Sequence, residues 1–252
     1  MRVELSLKKS LEENAGIFFD KAKKSKKRLK GAKEALERSF IRLEELKNQK
    51  LEVKEKKVKR KKEWYEKFRW FISSEGFLCI GGRDATTNEI VIKKHTDAQD
   101  LVMHTDMAGS PFFVIKDGQK AGLVTLEETA IATASFSRAW KLGMATLDVF
   151  YVKPEQVSKK AKAGESLAKG AFMIYGETKY LHPNVGLAVG SKDGVIMAGA
   201  LEAVRKNCDK FVEIKQGREK TSAAAKKIQK KIGGELDDII RALPSGGCEV
   251  KK

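Results

Sequence analysis

The sequence contains no apolar run approaching the roughly 18 to 20 residues that a membrane-spanning helix needs and no CxxC or HxxxH spacing. No membrane span and no metal or other cofactor are therefore expected. The N-terminus, MRVELSLKKSLEENAG, lacks the uninterrupted apolar core of a secretory signal. Three isolated thiols, Cys79, Cys208 and Cys248, form an odd set with no metal-binding pair, which argues against both a zinc site and a complete disulfide framework. A reducing, cytoplasmic setting is the expectation. Phosphate loops of the GxGxxG or GxxxxGK[ST] type and the GxSxG elbow of hydrolases are also missing.

Positive charge, by contrast, is abundant. With 51 Lys and Arg against 34 Asp and Glu, the formal charge is +17, an imbalance that points to a polyanionic partner, nucleic acid first and an anionic membrane second. Between Asp20 and Glu63 there are 19 Lys and Arg against eight Asp and Glu, so +11 of the +17 sits in that stretch. The blocks KAKKSKKRLK and KEKKVKRKK hold almost no acidic residues for i, i+4 pairing. This makes Lys23, Lys24, Lys26, Lys27 and Arg28 candidate phosphate contacts.

The same stretch has the composition of a long helix: no proline from Lys8 to Lys62, and glycine only at Gly16 and Gly31. Ser10 and Glu13 have capping-box spacing, predicting a helix start near Leu11. Leu29, Ala32, Leu36, Leu43, Leu46 and Val53 recur at spacings of three, four and seven and form a thin seam that Ser39 and Lys50 interrupt. Residues 1–62 are thus read as a basic helical or coiled-coil arm, either one helix of about 80 Å at 1.5 Å per residue or a hairpin bent near Gly31 or Asn48-Gln49.

At Trp64 the character changes, and residues 63–252 read as a globular domain. FLCIGG, EIVIKK, DLVMHTD, PFFVIK, TLDVFYV, FMIYGETKY, VGLAVG and FVEIKQ have strand composition. LEETAIATASFSRAWKLGM predicts one helix from Thr125 to Gly143, and AGALEAVRKNC and REKTSAAAKKIQKKI two more. Asp117-Gly118 and Asp193-Gly194 suggest two-residue hairpin turns. With no regular βαβ period, the expected class is α+β: a mixed, mainly antiparallel sheet with packed helices, preceded by the arm.

The polar cluster in GGRDATTNE raises three readings. Because EIVIKK is read as strand, a phosphate-binding helix entry is disfavoured; Gly81-Gly82 and Asn88 shape a connection, and Asp84 and Thr87 cap backbone amides. Arg83 and Asn88 can bond phosphate or base edges, and with Lys93, Lys94 and His95 they would form a basic rim. In HTDMAGSP, His104 and Asp106 stand two residues apart, so on a strand they share a face. That spacing admits acid-base or metal chemistry, yet three histidines without a second ligand cluster make a poor metal set.

WYEKFRWFISSEGFLCIGGRDATTNEIVIKK followed by DLVMHTDMAGSPFFVIK resembles the NFACT-R domain of ribosome quality-control proteins. LKKSLEENAGIFFDKAKKSKKRLKGAKEALE is similar to the start of that family's middle coiled-coil segment, and GREKTSAAAKKIQKKI with IIRALPSGG to its C-terminal end. The resemblance implies a non-enzymatic RNA-binding module. It carries a binding role onto Arg83, Asp84, Asn88, Glu89, His104, Asp106, Gly109 and Ser110, with rRNA or tRNA and the large ribosomal subunit as partners. The family's N-terminal domains have no counterpart in this sequence, so a separate chain could supply them. Two alternatives remain at this point: a coiled-coil adaptor acting through the seam, and a hydrolase or nuclease using His104, Asp106 and Asp84.

Overall fold

The computed structural model describes residues 4–48, 61–160 and 167–251, the side chains of 45–48 excepted. The chain divides into two compact units, Met1–Lys61 and Lys62–Lys252. The first is built on one helix, α1 (Leu11–Asn48), about 57 Å long at 1.5 Å per residue. Its start is the predicted capping box, with Ser10 N–H donating to Glu13 Oε2 at 2.8 Å and Glu13 N–H to Ser10 Oγ at 3.2 Å. Buried Asn14 ties the preceding turn down, accepting from Ser6 N–H and donating to the carbonyls of Ser6, Lys9 and Ser10. The helix runs through Gly31 unbroken, so no hairpin forms there. Gln49, Lys50, Val53, the Leu46 side chain and most of KEKKVKRKK lie outside the described residues.

The second unit is α+β. After a 3-10 turn at Trp64–Lys67 come β1 (Arg69–Ile72), β2 (Leu78–Gly81), α2 (Ala85–Lys94), β3 (Leu101–His104) and β4 (Phe113–Ile115). Next are α3 (Leu123–Ser135), α4 (Arg138–Leu142), β5 (Val149–Val152), β6 (Val157–Ser158), β7 (Met173–Ile174) and β8 (Lys179–Leu181). The chain closes with β9 (Leu187–Lys192), β10 (Val195–Gly199), α5 (Leu201–Asn207), β11 (Lys210–Gln216), α6 (Thr221–Ile232), α7 (Leu236–Ala242) and β12 (Cys248–Val250). A six-stranded sheet has the order β1-β2-β4-β3-β5-β8 and a four-stranded one β10-β9-β11-β12, while β6 and β7 pair apart. All the pairings are antiparallel.

The larger sheet is buried on both faces, which is why its strands read as continuous apolar runs. Leu101, Met103, Phe113 and Ile115 join a core shared with α3, α6 and the smaller sheet. Val102, Val114, Ile80 and Phe150 point the other way and pack with Phe68, Phe112 and Val91 of α2, as the two-residue period of a strand requires.

Three sequence expectations are corrected. EIVIKK lies in helix α2, whose N-cap Asp84 accepts from Thr87 N–H at 2.8 Å. The predicted helix from Thr125 to Gly143 is two: it begins at Leu123 and breaks at Phe136, and Ser137 then caps α4 by accepting from Ala139 N–H at 3.0 Å. Asp117-Gly118 is no hairpin turn; Asp117 is left-handed, with φ 53°, and opens a 3-10 turn leading to α3. Asp193-Gly194 does turn β9 into β10, with both φ positive at 50° and 77°, the type I′ pattern that matches strand twist. FMIYGETKY supplies two short strands, β7 and β8, on either side of Gly176 at φ 81°.

Candidate functional site

The glycine pair before α2 is explained by close approach. Neither residue has a positive φ. A Cβ on Gly81 would lie 2.5 Å from the Phe113 ring, and one on Gly82 would lie 1.9 Å from Asn88 Oδ1. The chain thus passes tight against α2, and Asp84 with Thr87 closes its first turn. Thr87 Oγ1 accepts from the Arg83 and Asp84 N–H groups. The Thr87 N–H bond holds the Asp84 carboxyl below its usual range.

From this helix two side chains fasten two loops. Asn88 is buried; its Oδ1 accepts from Phe112 N–H at 3.1 Å and its Nδ2 donates to the Ser110 carbonyl at 3.4 Å. Glu89 accepts from Gly170 N–H at 3.1 Å and pairs with Lys159 at 2.8 Å and Lys93 at 3.2 Å. The Lys159 bond, the Gly170 amide and Lys93 bring its carboxyl down to about 2. Lys159 also donates to the carbonyls of Ala168 and Ala171.

Between those loops and α4 lies an open groove of about 800 Å³. It gathers seven of the residues expected from sequence: Arg83, Asp84, Asn88, His104, Asp106, Gly109 and Ser110. Their geometry is specific. His104 stacks on Phe112 with centroids 3.9 Å apart, and its Nε2 meets the Ser110 carbonyl at 3.2 Å. Burial drives its pKa down to about 4, so the ring is neutral at pH 7. Asp106 lies beyond the end of β3, exposed, and accepts from Tyr180 OH at 3.1 Å. The Ser110 hydroxyl bonds Thr105 Oγ1 and the Met107 carbonyl, closing the loop upon itself around left-handed Gly109, φ 89°. Arg83 spends its donors on the carbonyls of Lys67, Phe68 and Arg241. Burial, then the like charge of Arg241, lowers its pKa.

The other expected residues are elsewhere. Glu89 works behind the groove, holding its rim. Lys93, Lys94 and His95 sit at the far end of α2, about 15 Å from Asp84 along the helix axis, where His95 stacks on Trp64 at 4.5 Å. Lys23, Lys24, Lys26, Lys27 and Arg28 are exposed on α1 in the other unit.

The groove adds residues that the sequence did not single out: Arg69, Arg138, Lys141, Lys169 and Phe172. Arg138, Lys141 and Lys169 are exposed and make no ion pair or hydrogen bond among the described residues. Phe172 is half-buried, meets Phe112 edge-on with centroids 5.3 Å apart, and carries Lys159 over its ring at 5.1 Å. A signal for α4 was available: Ser137 as a cap places Arg138 and Lys141, three apart, on one side of a helical turn. Lys169 and Phe172 had none, because their loop reaches the groove through contacts distant in sequence, with Glu89, Lys159 and Phe112. Among the described residues no group of three or more His, Cys, Asp or Glu could hold a metal ion.

The groove thus presents three exposed cations, Arg138, Lys141 and Lys169, beside the half-buried Phe172 ring. Residues 67–176 match the family model of the NFACT protein RNA binding domain, a span holding every groove residue except Ser245. The chain therefore carries an NFACT-R domain, and its relatives are ribosome quality-control proteins. Over 206 residues it is 43% identical to the archaeal Rqc2 homolog aRqcH of Methanocaldococcus jannaschii, covering 78% of this chain and 31% of that protein. It is 37% identical over 177 residues to human ribosome quality control complex subunit NEMF, covering 68% of this chain and 16% of that one. The chain thus spans less than a third of these curated relatives. Among solved structures, the C-terminal of the fibronectin/fibrinogen-binding protein from Streptococcus suis matches 70% of this chain and 77% of that chain, at 17% identity and a TM-score of 0.41.

Proposed function

We propose that the groove binds single-stranded RNA as a non-enzymatic module of ribosome quality control, docking on rRNA of the large subunit or on tRNA in the cytoplasm. The observation that carries this reading is the set of unpaired cations, Arg138, Lys141 and Lys169, around the Phe172 ring. Cations would hold phosphates, and Phe172 would stack a base, the combination by which unpaired RNA is bound with little sequence preference. Asn88, Gly109 and Ser110 build the walls, Glu89 holds the rim from behind, and Arg83 and Asp84 shape the entry. Binding rather than chemistry fits the polar groups: the Ser110 hydroxyl is engaged and His104 is held neutral against an aromatic ring. The arm would add sequence-independent phosphate contacts through Lys23, Lys24, Lys26, Lys27 and Arg28, and Lys93 and Lys94 would offer a secondary contact.

Photo-crosslinking to RNA followed by peptide mapping tests the reading. Crosslinks in 136–141 and 169–174 are expected; crosslinks confined to α1 would leave only a basic helix. A second reading, pairing of α1 with a partner helix, is favoured by Leu29, Leu36 and Leu43, which are 58%, 59% and 49% exposed. Replacing Leu36 and Leu43 by Lys would then abolish complex formation with the partner and leave RNA affinity intact.

A further inference from the structure

Arg69 is only 7% exposed, yet no carboxylate pairs with it among the described residues. It donates one N–H to the Leu243 carbonyl at 3.2 Å and lies over the Phe136 ring at 4.1 Å. Its charged neighbour is another arginine: burial first, then the like charge of Arg83, brings its pKa down to about 9. A guanidinium carries five N–H donors and stays charged at neutral pH, so burying it without a counterion is costly. Lys116, by contrast, lies between Asp97 and Asp100, 2.6 Å from each. Arg69 opens onto the groove.

Asp84 and Asp106 also line the groove, and Glu66 and Asp238 share a second, smaller cavity with Arg69, but the two segments that touch Arg69 bring basic and hydroxylic residues. Phe136, against which it stacks, leads directly to Ser137 and Arg138. Leu243, to which it bonds, leads to Ser245, and the same loop packs on α4: a Cβ on Gly246 would lie 3.4 Å from Trp140 and 3.5 Å from Lys141. Trp140 Nε1 holds the loop there by donating to the Gly247 carbonyl at 2.9 Å. Two chain segments far apart in sequence thus deliver Arg138, Lys141 and Ser245 to the end of the groove that Arg69 floors.

We infer that this end is a phosphate subsite, in which Arg69 and Arg138 hold one tetrahedral oxyanion with Lys141 and the Ser245 hydroxyl beside it. The geometry suits a guanidinium, which presents paired donors to phosphate oxygens, and the bound anion would supply the counter-charge that Arg69 lacks. Only the identification of that phosphate as part of an RNA rests on the function proposed above. Such a subsite would set the register of the chain in the groove, with Phe172 stacking a base farther along.

The Nε–H signal of Arg69 in an NMR spectrum of the whole chain, assigned by its loss in Arg69→Lys, reports directly. Three probes are compared: inorganic phosphate, tetrauridylate with a 5′-phosphate, and tetrauridylate with a 5′-hydroxyl. Saturable movement of the signal with each is expected. The exposed change Arg138→Ala, which leaves the buried core untouched, should weaken phosphate about tenfold, the scale of one charge-assisted contact. Tighter binding of the 5′-phosphorylated probe would assign a terminal monoester, and equal binding a backbone diester. A signal unmoved by any probe, or phosphate binding unchanged in Arg138→Ala, overturns the subsite. If tetrauridylate still shifts Phe172 while Arg69 stays silent, the subsite fails and the RNA groove stands. If phosphate moves Arg69 but no RNA binds, the reverse holds.

Discussion

Asn88 carries two bonds that reach 22 and 24 residues along the chain, to the Ser110 carbonyl and the Phe112 amide. Replacing it by alanine would leave the Phe112 N–H in the interior without an acceptor. A loss of roughly 1 to 3 kcal/mol is expected, read by thermal or denaturant unfolding, together with faster amide exchange across 105–112. His104 gives a second residue-scale prediction. Its pKa falls from 6.5 to about 4 on folding, largely through burial. The unfolded chain therefore takes up a proton at higher pH than the folded one. The stability held by the neutral ring is full above pH 6.5 and is lost as the pH falls from 6.5 toward 4, amounting to about 2 to 3 kcal/mol. His104→Phe should flatten that part of the stability profile. The sequence marks Asn88 and His104 as polar residues in an apolar setting; their partners come from loops that only the fold brings together.

α2 shows where element-level legibility ends. Ile90, Val91 and Ile92 favour strand, and that preference is worth only tenths of a kcal/mol per residue. The Asp84 and Thr87 cap outweighs it. The capping chemistry was readable in DATT, but its consequence, ten residues of helix, depended on Asn88 and Val91 facing inward, three residues apart. Asp84→Ala should cost about 1 kcal/mol and, by fraying the turn beside Gly170, loosen the 168–172 loop. The start of α3 was hidden for a different reason: its cap is remote. Glu75, in the β1–β2 turn, accepts from Gly122 N–H at 3.1 Å and Thr125 N–H at 3.0 Å. The Thr125 hydroxyl and amide keep its carboxyl below the usual range. Glu89 likewise holds its loop only while ionised. With its carboxyl at about 2, that fastening is complete above pH 4.5 and released as the pH falls toward 2, so amide protection in 168–172 should drop across that window before the core opens.

For the whole molecule, the charge balance pointed to a polyanionic partner and the mixture of strand and helix segments to the α+β class, and the structure shows how the charge is arranged. On α1, Lys23, Lys24, Lys26, Lys27 and Arg28 span about 200° of the helix at 100° per residue, leaving the Leu29 side free. In the groove the exposed cations are three, Arg138, Lys141 and Lys169, framed by loops and set beside the Phe172 ring. These two arrangements predict different behaviour. Replacing the five arm residues by Gln should weaken all RNAs alike and flatten the salt dependence by up to about 3.5, at roughly 0.7 per single-strand phosphate contact.

The groove is tested most directly by the salt dependence of binding to a single-stranded RNA, comparing the whole chain with its Arg138→Ala, Lys141→Ala, Lys169→Ala triple variant. All three side chains are exposed and unpaired, so the fold should survive and circular dichroism can verify it. The account predicts a large loss of affinity and a slope of log K against log salt shallower by about 2. Unchanged affinity and an unchanged slope in a folded triple variant would contradict it.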